Sequence, residues 1–267
     1  MLLGRIFSGW IHSCLLYIQI IVLGTSLCVT VAKAEPQTSD VSKSNAPMNT
    51  SVVENAMDLI RKHEFDQARE LLLSAAEKGD IESKALLGQM YNAGWGVPVD
   101  YKQAFKWWSE AAQGSSTDAE WGLGTLYDGG NGVPQDSAKA AAYWKQAEEH
   151  GNIKATVSLA FLYEDGRGVE TDLKESAKLF KIAAEAGEPG AQLNYGLKRL
   201  YGIGVEQNTL LGCAWIGIAA ESPRIKGTAY AEKTRIQKEK SWATLSNTDL
   251  EQVEKLKKEI KENLKLD

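Results

Sequence analysis

The sequence predicts an all-α protein, a right-handed α-solenoid of helix–loop–helix repeats with helical caps. Three observations predict this fold class. A pattern of glycine, alanine and aromatic residues recurs every 36 residues without a gap. Apolar residues within each period follow helical spacing. The composition, 43% hydrophobic and 24% charged, provides enough apolar residues for a core.

The first element is predicted to be a signal peptide, residues 1–34. Arg5 gives a positive start, residues 15–23 are apolar apart from Gln19, and Ala32-Lys33-Ala34 fits an A-x-A cleavage site. Cleavage after Ala34 would remove two basic residues and no acidic residue, so the net charge would change from −5 to −7. The alternative is an uncleaved membrane anchor, because the apolar stretch is long enough for one.

Residues 35–51 are rich in Ser, Asn, Thr and Pro and lack an apolar period, so they are predicted to be a disordered linker. Residues 52–82 match only the second helix of the repeat, through Ala68, Leu72 and Ala75, and the joining loop is too short for the glycine motif. This segment is interpreted as a tetratricopeptide-like (TPR-like) N-terminal capping hairpin.

Residues 83–223 contain four repeats in one register. The aligned sets are Gly88, Gly124, Ala160 and Gly196; Tyr91, Tyr127 and Tyr163; Gly94, Gly130, Gly166 and Gly202; Gly96, Gly132, Gly168 and Gly204; Asp100, Asp136, Asp172 and Asn208; and Trp108, Trp144, Phe180 and Ile216. The Gly-x-Gly pair is expected to end the first helix, because glycine tolerates positive φ. The Asp or Asn that follows is expected to cap the second helix.

The fourth repeat departs from this pattern, since Arg199 replaces the tyrosine and Gly212 replaces an alanine, and looser stacking is expected there. Residues 224–267 lose the period and are predicted to form two C-terminal capping helices. The second of these is expected to begin with a capping box of Thr248 and Glu251.

The repeat resembles the Sel1-like repeat, a relative of the tetratricopeptide repeat. The clearest copy runs from Ala119 through Gly124, Tyr127, Gly132 and Asp136. The resemblance implies a periplasmic location for an exported bacterial member and a scaffold or adaptor that binds another protein. Immunity proteins that neutralise secreted toxic effectors, such as phospholipases, are an alternative. Some cysteine-rich relatives are linked to β-lactam or peptidoglycan chemistry, but their disulfide in each repeat is absent here.

The residue inventory predicts neither an enzyme nor a cofactor or metal site. Three histidines and three cysteines show no metal-ligand spacing and no nucleophile–base pairing. Cys213 is expected to be a small core residue. The net negative charge also argues against nucleic acid as a partner.

Variable positions of a solenoid are the candidates for recognition, because the recurring positions serve stacking. In tetratricopeptide-like solenoids, the variable face of the first helices lines the concave surface. The candidate partner-binding residues are Trp121, Phe161, Trp95, Asp128, Glu164, Thr125, Gln89 and Leu197. Trp121, Phe161 and Leu197 are expected to be solvent-exposed apolar residues that anchor the partner, and Trp95 is expected to be a further anchor at a loop tip. Asp128 and Glu164 are expected to influence the association rate and the charge of the preferred partner.

Overall fold

The structure is a computed structural model that describes residues 51–266, and within that range it contains twelve α-helices and no strand. The helices are α1 (Val52–Arg61), α2 (Phe65–Glu77), α3 (Ile81–Ala93), α4 (Tyr101–Ala112), α5 (Thr117–Gly129), α6 (Ser137–Glu149), α7 (Ile153–Asp165), α8 (Leu173–Glu185), α9 (Pro189–Tyr201), α10 (Thr209–Glu221), α11 (Ala229–Trp242) and α12 (Asn247–Leu264). The predicted signal peptide and nearly all of the predicted linker lie outside the described residues.

The helices pack in sequence order, and this arrangement confirms the all-α solenoid. Four hairpins, α3–α4, α5–α6, α7–α8 and α9–α10, correspond to the four repeats, with α1–α2 before them and α11–α12 after them. The core follows the chain as a series of apolar clusters between successive hairpins. Each hairpin therefore buries its apolar surface against its neighbours.

The first glycine of each Gly-x-Gly loop ends the first helix of its repeat. Gly94, Gly130, Gly166 and Gly202 are the C-caps of α3, α5, α7 and α9, with φ between 66° and 71°. This left-handed conformation is strained for residues with a side chain. The predicted role of these glycines is confirmed.

The second glycine of the loop has a different role, because it packs on the preceding hairpin. A Cβ atom at Gly168 would lie 2.3 Å from the backbone of Ser137, the first residue of α6. At Gly204 it would lie 1.8 Å from the carbonyl oxygen of Leu173, the first residue of α8. Each loop thus rests on the start of the previous second helix.

The second helices begin at the predicted caps. Carboxylate oxygens of Asp100, Asp136 and Asp172 and the amide oxygen of Asn208 accept hydrogen bonds from backbone N–H groups in the first turn. These bonds satisfy donors that a helix start leaves without a partner. The regular carboxylates are therefore structural.

A large aromatic side chain lies against a glycine in each of the first two repeats. The Trp108 ring lies between Gly88 of α3 and Gly122 of α5, where a Cβ would approach ring atoms to 2.4 and 2.5 Å. Trp144 meets Gly124 at 2.4 Å in the same way. In the third repeat Ala160 faces the smaller Phe180, and both side chains are fully buried.

Looser stacking was expected for the fourth repeat, but within this repeat the two helices are in close contact. A Cβ at Gly212 would lie 2.7 Å from the backbone nitrogen of Leu200 and 2.8 Å from the carbonyl oxygen of Gly196. The backbones of α9 and α10 therefore approach each other directly. Replacing alanine by glycine tightens this contact because no side chain separates the helices.

Helices α11 and α12 cover the end of the last repeat. The Glu221 carboxylate of α10 accepts hydrogen bonds from Lys238 and Lys257 at 3.0 and 2.7 Å. Burial raises the pKa of Glu221, but the two ammonium groups outweigh it and the net direction is down. The capping box of α12 consists of Ser246 and Asp249, so the predicted Thr248–Glu251 box is wrong.

We predict that the glycine–tryptophan contact is energetically coupled. Gly124→Ala should destabilise the fold by about 1–3 kcal/mol through overpacking. Trp144→Phe should also be destabilising, because it removes volume and the indole hydrogen bond to the Trp121 carbonyl. The double variant copies the Ala160–Phe180 pair, so its loss should be smaller than the sum of the two by about 0.5–3 kcal/mol. Urea unfolding of all four proteins measures the coupling, and strictly additive losses would contradict it.

We also predict that Tyr230 limits stability at alkaline pH. Its hydroxyl is buried without a hydrogen-bond partner in the described part of the chain, and burial, with a further contribution from Glu188, raises its pKa. In the unfolded chain tyrosine ionises at about pH 10. As the pH rises beyond that value, ionisation favours the unfolded state, and the free energy of unfolding falls.

Tyr230→Phe should therefore match or exceed the native free energy of unfolding at pH 7. Its advantage should grow by about 1.4 kcal/mol per pH unit above pH 10. Tyr201→Phe is the control, because Tyr201 is 57% exposed. Denaturant unfolding at pH 7, 10 and 11 tests this, and an advantage that does not change with pH would disprove the role of Tyr230.

Candidate partner-binding face

The candidate site is the variable surface of the first helices α5 and α7, here named the first-helix face. It comprises Asp118, Trp121, Thr125, Asp128, Lys154, Ser158 and Phe161. Contacts between the two helices cross the boundary between repeats. Lys154 pairs with Asp118 at 3.2 Å, and the two residues occupy the same position of successive repeats.

Trp121 is the centre of this face and is half-buried. Its indole N–H donates to the Ser158 hydroxyl at 3.3 Å, and the Lys154 ammonium lies 5.1 Å from the ring centroid. The latter distance is within the range of a cation–π interaction. The indole is held in place while part of its surface stays accessible.

Phe161 and Thr125 occupy equivalent positions one repeat apart, and both are half-buried. The Phe161 ring meets the buried Phe180 ring edge-on, with centroids 5.0 Å apart. The Thr125 hydroxyl donates to the Trp121 carbonyl at 3.0 Å. Phe161 is therefore both a support of the core and part of the accessible surface.

Asp128 is engaged within the protein. Its carboxylate accepts from the Arg167 guanidinium at 2.7 Å and from the Ser137 hydroxyl at 3.3 Å. Burial lowers the pKa of Arg167, but Asp128 and Asp165 outweigh it and the net direction is up. The loop residue Arg167 thus lies over the preceding repeat and neutralises much of the Asp128 charge.

Two predicted site residues are not on an exposed surface. The Glu164 side chain is 6% exposed and pairs at 3.0 Å with Lys198, whose side chain is fully buried. Burial lowers the pKa of Lys198, and the Glu164 charge counteracts this only in part. Leu197 is 5% exposed in a cluster that Tyr230 of α11 helps to cover. The expectation that Glu164 and Leu197 face water is therefore wrong.

Trp95 and Gln89 lie nearer the N-terminal end. Trp95 is half-buried and packs against the cluster that contains Leu72 and Leu87. It thus extends the N-terminal core, which corrects the expectation of an anchor standing free at a loop tip. Gln89 is half-buried on α3.

The described residues include no group of three His, Cys, Asp or Glu side chains that could hold a metal ion. Cys213 is fully buried, and burial raises the pKa of its thiol. His150 contacts the buried Glu120 carboxylate at 3.1 Å, away from the first-helix face. Between residues 51 and 266, no helix is both long and apolar enough to cross a bilayer.

The sequence analysis missed Lys154 and Ser158 as parts of this face. The sequence did contain a signal for Lys154. Asp118 and Lys154 carry opposite charges at the same position of successive repeats, and such residues lie side by side when the repeats stack. Ser158 gave no signal of its own. Its role is evident only from its hydrogen bond with the Trp121 indole.

Comparison with known families supports the repeat assignment. The model of the Sel1 repeat matches residues 60–80, 81–116, 117–152, 153–188 and 189–222, which together are more than half of the chain. The chain belongs to the Sel1 repeat family. The first Sel1 match lies in the α1–α2 hairpin, where the sequence resembles the second helix of the repeat.

A solved structure shows the same fold, and two others align less closely. A Sel1 repeat protein from Oxalobacter formigenes aligns with a TM-score of 0.57 and 23% identity, over 72% of this chain and 85% of that one. A protective antigen of uropathogenic Escherichia coli aligns at 0.46 and 21%, over 78% and 53%. An immunity protein from Pseudomonas aeruginosa aligns at 0.46 and 16%, over 79% and 84%. A comparison with curated proteins finds no match.

We predict that Trp121 contributes less to folding than Trp144. Trp144 is 5% exposed and Trp121 is half-buried. Trp144→Ala should therefore cost about 3–5 kcal/mol of unfolding free energy, and Trp121→Ala about 1–2 kcal/mol. Urea unfolding of the two variants checks this order, and an equal or larger loss for Trp121→Ala would show that the indole is mainly a core residue.

Proposed function

We propose that this chain is a non-catalytic, exported scaffold that binds another protein through the first-helix face. Family membership supports a role in protein interaction, and the face supplies a surface suited to it. The observation that carries the proposal is that Trp121 and Phe161 are both half-buried and pack against the same core cluster, which leaves part of each ring accessible. Aromatic side chains that are partly exposed and held rigidly are the usual anchors of protein interfaces.

The charges around the aromatic pair support the same interpretation. Asp118, Lys154 and Asp128 are paired with residues of this chain, so the face offers polar groups at its edge without an unpaired buried charge. A polar rim around an apolar centre is typical of protein–protein interfaces. Affinity would come from the rings, and orientation from the charged edge.

A narrower proposal within this class is a periplasmic immunity protein that neutralises a secreted toxic effector. The acidic net charge of −5 supports it, since an acidic protein is suited to a basic effector surface. Crosslinking in the native envelope followed by mass spectrometry separates the two roles. A basic toxic effector as the crosslinked protein would favour immunity, and an envelope protein would favour an adaptor.

We predict that Trp121→Ala combined with Phe161→Ala lowers recovery of the crosslinked partner at least tenfold. Two hot-spot residues lost together typically cost more than about 2 kcal/mol of binding. The matched control is Ile182→Ala with Ile236→Ala, because both isoleucines are 38% exposed and lie on α8 and α11. Circular dichroism must show that both double variants are folded, and undiminished recovery with the folded Trp121/Phe161 variant would disprove the proposed face.

A further inference from the structure

A cleft lies near the C-terminal end of the solenoid, between α8, α9, α10 and α12, and is here named the C-terminal cleft. Its volume is about 410 Å³, and its lining includes Lys181, Tyr195, Arg199, Trp215 and Ile260. Small-molecule sites in proteins typically have volumes of about 300–1,000 Å³. The cleft is separate from the first-helix face, and its interpretation does not rest on the proposed function.

The residues at the cleft differ from the aromatic packing of the second repeat. In the second repeat Tyr127 stacks on Tyr143 with centroids 5.7 Å apart and meets Phe105 edge-on at 6.0 Å. The positions two repeats later are Arg199 and Trp215 in the fourth repeat and Ala177 in the third. Ala177 and the flexible Arg199 side chain thus replace the rings of Phe105 and Tyr127, and an opening is present beside the last repeat.

A second departure from the repeat puts a hydroxyl in the same place. Tyr195 occupies the position of three buried leucines, Leu87, Leu123 and Leu159. Its ring meets the Trp215 ring edge-on at 5.8 Å. Burial raises the pKa of Tyr195, with a further contribution from Glu185, while Arg199 and Lys181 lower it in part, so the hydroxyl is a protonated donor at neutral pH. Arg199 and Lys181 line the same cleft as Tyr195, and so does Glu185.

Arg199 is not neutralised by a carboxylate in the described part of the chain. Its Nε atom is buried there without a hydrogen-bond partner. Lys181, the other cation of the cleft, pairs with Glu185 at 3.6 Å. Lys181, Arg199 and Glu185 all line the cleft, and two positive groups with one carboxylate leave a single positive charge there.

We propose that the C-terminal cleft binds a carboxylate carried on an apolar group. The guanidinium of Arg199 would donate hydrogen bonds to the carboxylate, and the Tyr195 hydroxyl would donate a further one. Trp215 and Ile260 would contact the apolar part. One uncompensated positive charge matches a singly charged carboxylate better than a doubly charged phosphate. The carboxylate could belong to a free organic acid or to the C-terminus of a protein.

Isothermal titration calorimetry of the full-length protein tests the proposal with four probes. The probes are 3-phenylpropionate, its neutral analogue 3-phenylpropionamide, and the peptide Ala-Ala-Phe with a free or an amidated C-terminus. At least one of the two carboxylates should bind, at least tenfold more tightly than its amide. Binding of 3-phenylpropionate indicates a free acid as the source, and binding of the peptide carboxylate alone indicates a protein C-terminus.

The decisive variant is Arg199→Tyr, because tyrosine is the residue of the other repeats at this position and should fold. It should weaken carboxylate binding at least tenfold. Arg224→Gln is the matched control, since Arg224 is exposed outside the cleft, and it should bind like the native protein. Absence of binding by both carboxylates, equal binding of acids and amides, or unchanged binding by folded Arg199→Tyr would each overturn the proposal.

Discussion

The whole solenoid depends on close contact between helices where one of the facing residues has little or no side chain. Trp108 can lie between α3 and α5 only because both helices present glycine to it. The space between hairpins is then filled by one large ring instead of several smaller side chains. Such packing leaves few alternatives in register, because displacing a helix by one residue would put a Cβ where the ring lies.

This constraint explains which parts of the fold were predictable. The glycine, the aromatic residue and the capping Asp recur with one period, so the helices, the loops and the caps followed from the sequence. The capping box of α12 was not predicted correctly, because serine and threonine both favour the N-cap position and the structure uses Ser246 instead of Thr248. The close approach at Gly212 was misjudged because a departure from the pattern was equated with weaker packing.

The candidate face was predictable in outline and not in detail. Trp121, Phe161 and Thr125 lie on it as the repeat positions indicated. Glu164 and Leu197 are equivalent to Asp128 and Phe161, but their side chains are largely buried. The reason is that Lys198 takes the place of the core leucines Leu126 and Leu162, and that α11 covers the last repeat. Equivalence in a repeat thus predicts direction well and exposure poorly, since exposure depends on what the next hairpin and the caps provide.

The second glycine of each loop gives the chain a polarity. Because Gly168 rests on α6 and Gly204 rests on α8, every loop depends on the hairpin before it, and none of these contacts depends on the hairpin after it. Shortening the array from its C-terminal side leaves each remaining loop on its support, whereas removing hairpins from the N-terminal side takes that support away. Lengthening by duplication of a whole hairpin keeps every support, which makes this architecture extendable in evolution.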